Sequence, residues 1–62
     1  MNKYYLQVLG ANAPILEILV EADYFRSVTN NQSPAGCYVF YVNEEIIACY
    51  PVERTIIKRI ER

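Results

Sequence analysis

The stretch LEILVEADYF, residues 16–25, decides the fold, because it fits two elements at once. Read with period two, Leu16, Ile18, Val20, Ala22 and Tyr24 lie on one side, opposed to Glu17, Leu19, Glu21 and Asp23. Period two is the signature of a half-buried strand. Read with period 3.6, Asn12 caps a helix, Pro14 stands in its first turn, and Ile15, Ile18, Leu19 and Ala22 share a face. Strand is the better reading, since the alternation holds for nine residues and runs into Tyr24-Phe25, which favour strands.

Working outward, the neighbouring segments agree with a β-rich chain. Residues 3–9 (KYYLQVL) are strand formers that end at Gly10, and residues 12–14 (NAP) read as a turn. Residues 30–36 (NNQSPAG) form a polar loop with both backbone breakers. Residues 37–42 (CYVFYV) are apolar on both faces, as expected of a central strand covered on each side. Asn43-Glu44-Glu45 is the hairpin turn, of two residues or three, and the returning strand ends at Pro51, which donates no N–H to a ladder.

That turn sets the cysteines. A loop centred on Asn43 faces Cys37 with Cys49, whereas a two-residue Asn43-Glu44 turn sends them to opposite faces, because a one-residue slip inverts every side chain. Buried free thiols are the default reading, with a disulfide or a reactive thiol as the alternative. Residues 52–61 are again open between helix and strand. Val52, Ile56 and Ile60 recur every four residues, but Thr55-Ile56-Ile57 favours a strand with Ile56, Lys58 and Ile60 opposed to Ile57, Arg59 and Glu61. The whole predicts one small antiparallel domain over residues 1–62, a meander of four to five strands. It would be either an SH3-like barrel or a curved sheet, with room for one short helix.

Composition then limits function. The chain has 62 residues, 53% of them hydrophobic, including six Tyr and two Phe. A domain of this size has too little interior for so many large side chains, so a homo-oligomer or a binding face is expected. Six basic residues against seven acidic ones give a net charge of −1, which argues against nucleic acid as a partner for the chain as a whole. The absence of His removes the commonest general base and metal ligand, and the two glycines stand apart, so no phosphate loop is present. Glu17 with Glu21, and Glu44 with Glu45, read as solubilising pairs. No catalysis, metal or cofactor is expected. The apolar runs are too short to cross a bilayer and no leader is recognisable before Asn2, which predicts a cytoplasmic protein away from membranes.

Binding is what remains. Tyr offers flat apolar area with a polar tip, and bases stack on such rings beside cations that hold phosphates. Tyr38, Tyr41, Arg54, Lys58 and Arg59 are the candidate ligand-binding set.

Residues 38–60 (YVFYVNEEIIACYPVERTIIKRI), with VEADYF at residues 20–25, resemble short β-rich hypothetical proteins of bacteria and their phages. The resemblance lies in an aromatic strand, an Asn turn, an Ile-Ile-Ala strand, an aromatic-Pro step and a final Ile-rich strand. It implies a compact β protein of a mobile element that acts by sequestering a host immune enzyme or a small nucleotide signal. It assigns no binding residue. Two other functions stand beside it: a structural subunit that only self-assembles, and a small barrel that binds single-stranded nucleic acid.

Overall fold

The computed structural model describes residues 1–10, 14–29 and 35–62. Among these described residues six strands follow one another: β1 (Asn2–Val8), β2 (Leu16–Ala22), β3 (Tyr24–Val28), β4 (Cys37–Val42), β5 (Glu45–Pro51) and β6 (Thr55–Glu61). A single 3₁₀ turn, Val52–Arg54, separates the last two. The protein is thus the small antiparallel β fold that the alternation predicts, with strands at both positions where a helix competed. Its strands number six and fall into two three-stranded sheets, ordered β2-β1-β6 and β3-β4-β5. Among the described residues the sheets do not close into a barrel. The Asn12 cap, the 12–13 part of the first turn and the 30–34 part of the polar loop lie outside the described residues.

The nine-residue alternation is interrupted at one point. Asp23 bends the chain, so Leu16–Ala22 belongs to the first sheet and Tyr24–Val28 to the second. Three hydrogen bonds hold this corner. The Asp23 backbone N–H donates to the Tyr41 carbonyl (2.8 Å), its Oδ2 accepts from the Asn43 backbone N–H (2.9 Å), and its carbonyl accepts from Asn2 Nδ2 (3.1 Å). An acid that reads in sequence as one more outward residue therefore ties the sheet crossing to the β4–β5 turn.

The sheets pack face to face, as their shared core requires. Tyr4, Leu6, Val20 and Ala22 of the first sheet meet Phe40 of the second in one buried cluster, with Ile18, Phe25, Tyr38, Val42, Ala48, Tyr50 and Ile57 around it. Phe40 is fully buried, edge-on to Tyr4 at 5.3 Å and to Tyr50 at 6.2 Å between ring centres. Burying each such side chain contributes about 1.5–3 kcal/mol. The molecule is a slab of 32 × 28 × 14 Å, the thickness two stacked sheets demand.

Two one-residue bulges shape the sheets. In β5, Tyr41 pairs with Ile46 but Phe40 with Ala48, leaving Ile47 unpaired. In β6, Tyr5 pairs with Arg59 but Leu6 with Ile57, leaving Lys58 unpaired. A bulge re-aims the side chains beside it and strengthens the local twist. The β4–β5 turn itself has two residues, Asn43 (φ 51°) and Glu44 (φ 67°), the left-handed pair that a type I′ hairpin needs.

Candidate functional site

The first sheet's outer face carries the candidate site, and its layout follows from β1. Tyr4 and Leu6 are buried, so Tyr5 and Gln7 point outward between their neighbours on β2 and β6. Glu17 and Leu19 are the outward residues of β2 beside them, paired with Gln7 and Tyr5. On β6 a regular strand would place Lys58 and Arg59 on opposite faces, as the sequence pattern has them. The bulge corrects this: with Lys58 unpaired, both cations come to the outer face.

The result is a concave surface of about 460 Å³ lined by Tyr5, Leu6, Glu17, Ile18, Leu19, Lys58 and Arg59. The Arg59 guanidinium lies 4.3 Å from the centre of the Tyr5 ring. Such a cation–π contact contributes about 0.5–1 kcal/mol at an exposed position. Arg59 is also ion-paired to Glu61 at 2.9 Å, and the Tyr5 hydroxyl donates to Glu61 Oε1 at 3.0 Å. On the other flank Lys58 Nζ reaches across β1 to Glu17 Oε1 at 3.2 Å, where Gln7 Nε2 also donates at 3.3 Å. The Glu17 carboxyl is held below its ordinary range, first by the Gln7 hydrogen bond and then by Lys58. Every formal charge in this cluster has an opposite charge against it. The surface is therefore polar but balanced.

The sequence-predicted set does not converge. Lys58 and Arg59 stand together here, and Tyr5, which the set omits, stands with them. Tyr38 is half-buried, edge-on to Phe25 at 5.8 Å, so its ring belongs to the interior between the sheets. Tyr41 lies on the second sheet's outer face, stacked on Tyr24 with ring centres 4.8 Å apart and planes at 14°. The Tyr24 hydroxyl in turn donates to Glu44 Oε2 at 3.0 Å. Arg54 is exposed in the 3₁₀ turn, and its carbonyl accepts from the Leu9 backbone N–H at 2.7 Å. The signal for Tyr5 was the alternation of Tyr4, Tyr5, Leu6 and Gln7. Two adjacent tyrosines on a strand must face opposite ways, so one of them lies outside.

The second sheet's outer face differs in kind. Val28, Val39, Tyr41, Ile46 and Cys49 share it with Arg26, and Ile46 is 64% exposed. Among the described residues no group of three His, Cys, Asp or Glu side chains is placed to hold a metal ion, and no helix is long and apolar enough to cross a membrane. Compared with known proteins, the chain matches no family model, and no curated protein or solved structure at a significant level.

Proposed function

We propose that this chain is a non-catalytic binding protein that sequesters a protein partner on the outer face of its first sheet. The observation that carries this reading is the Arg59 guanidinium resting on the Tyr5 ring, at the floor of a concave surface whose charges are balanced. Tyr and Arg are enriched in protein interfaces, Tyr for its large rigid ring and Arg for its planar hydrogen-bonding fork that stacks on rings. A surface bearing Glu17, Lys58, Arg59 and Glu61 in alternating sign suits a partner with both charges, such as an inhibited enzyme. It suits a nucleic-acid strand poorly, because Lys58 and Arg59 are already neutralised.

A small nucleotide is the second reading, favoured by the volume of the concavity. About 460 Å³ falls within the range of small-molecule sites. Native mass spectrometry of the protein taken directly from cells separates the two. A complex with a second, larger polypeptide, lost on Arg59→Ala or Tyr5→Ala while the variants stay folded, supports protein sequestration. Retained mass of nucleotide size supports the second reading instead. A clean protein that keeps neither, including after incubation with cell extract, refutes both.

A further inference from the structure

We propose that Cys37 and Cys49 form a paired thiol site that closes into an intramolecular disulfide on reaction with a low-molecular-weight disulfide such as oxidised glutathione. The inference stands on the β4–β5 ladder and is independent of the proposed binding surface. The two-residue turn alone would send the cysteines to opposite faces. The unpaired Ile47 shifts the ladder by one, so Val39 pairs with Cys49 and Cys37 with Pro51. Cys37, Val39 and Cys49 consequently share the outer face of the second sheet, with the two thiols on one diagonal. Both are free cysteines; Cys49 is exposed and Cys37 half-buried.

Diagonal neighbours, at about 7–8 Å, lie just beyond the ordinary disulfide span of about 4.4–6.8 Å between Cα atoms, so closure needs a backbone shift of about 1 Å. The local backbone is suited to supply it. Pro51, opposite Cys37, has no N–H to hold the ladder there, and the Ile47 bulge interrupts it on the other side of Cys49. Partial desolvation first, and the neighbouring Cys37 thiol second, push the Cys49 thiol above its ordinary pKa.

The chemistry balances in two exchanges. Access selects Cys49 as the attacking thiol: the fraction present as thiolate, kept small by its raised pKa, attacks the small disulfide, forming a mixed disulfide and releasing one small thiol. Cys37, deprotonated in turn, attacks the Cys49 sulfur and expels the second small thiol. Two protein thiols are oxidised, one small disulfide is reduced to two thiols, and the electron pair passes between them. The product links β4 to β5 beyond the bulge, where it would hold the register that placed the thiols together.

The test is intact mass measurement of the folded wild-type protein after exposure to oxidised glutathione, with non-reducing electrophoresis alongside. The expected result is a monomeric chain lighter by two hydrogens and carrying no adduct. Cys37→Ser and Cys49→Ser should each retain one glutathione as a mixed disulfide, because the second thiol that expels it is gone. Slower amide exchange across β4 and β5 in the oxidised form is expected as well. A wild-type chain that retains glutathione on either cysteine, or that forms only disulfide-linked dimers, would overturn the proposal. So would a chain that stays fully reduced while an equally exposed reference peptide thiol reacts.

Discussion

Substituting Phe40 tests the sandwich most directly, because this residue is where the two sheets meet. Its side chain has no exposed surface and lies among Tyr4 at 5.3 Å, Phe25 at 5.6 Å and Tyr50 at 6.2 Å. Truncation to Ala removes a buried aromatic at a cost of about 3–5 kcal/mol. A chain of 62 residues at about 0.05–0.15 kcal/mol per residue has only about 3–9 kcal/mol in all, so Phe40→Ala is expected to unfold it. Phe40→Leu is the more informative variant. It keeps most of the volume but loses three aromatic contacts, each contributing about 0.5–1.5 kcal/mol, for an expected loss of about 2 kcal/mol. Urea unfolding followed by circular dichroism measures this. With a slope of about 1 kcal/mol/M for so small a protein, the midpoint should fall by about 2 M. Ile46→Ala is the control, since Ile46 is 64% exposed on the opposite face, and it should stay within about 0.5 kcal/mol. Equal losses for Phe40→Leu and Ile46→Ala would refute the assignment of inner and outer faces in the second sheet.

Three further outcomes are expected. Thr55 is buried, and its hydroxyl has no partner among the described residues, so Thr55→Val should stabilise by about 1 kcal/mol in the same urea assay; a loss would mean the hydroxyl has a partner. Glu44 has φ 67°, a conformation that strains any side chain, and Glu44→Gly should relieve about 1 kcal/mol, partly offset by the lost hydrogen bond from Tyr24. A destabilised Glu44→Gly with an unchanged hairpin would show that the Tyr24 bond outweighs the strain. Glu17 has its folded pKa depressed below its ordinary value of 4.5, so its contribution is fully present above that value and is lost as pH falls through the lower, folded one. The urea midpoint should therefore drop on acidification below 4.5 less steeply in Glu17→Gln than in wild type, and parallel profiles would contradict the Gln7–Glu17–Lys58 arrangement.

Much of this architecture was legible from period alone. Tyr4 and Leu6, Val20 and Ala22, and the doubly apolar β4 announce a β core, because strand side chains alternate whatever the tertiary context. What the pattern does not carry is where alternation stops. Asp23 continues the polar phase of β2, and its role as a corner rests on partners at Tyr41 and Asn43 that lie distant in sequence. The bulges at Ile47 and Lys58 are likewise invisible, since each consists of an ordinary strand residue whose partner strand simply skips it. Their effects are large for the same reason that a register slip is. One extra residue gathers Lys58 with Arg59, and another gathers Cys37 with Cys49. A candidate set chosen by residue type, without those two shifts, scatters Tyr38, Tyr41 and Arg54 over three different surroundings.

The sheet order has a kinetic consequence. Strands β3, β4 and β5 are consecutive, β4 and β5 joined by a two-residue turn, whereas the pairing of β1 with β6 joins Lys3 to Glu61 across almost the whole chain. Closing so long a loop is entropically slow compared with closing a hairpin, so the second sheet is expected to gain protection first in pulse-labelled hydrogen exchange, and the β1–β6 seam last. Tyr5 and Arg59 lie on either side of that seam. The surface proposed to hold a partner would thus come into being only at the final step of folding, and an incompletely folded chain would lack the proposed binding face.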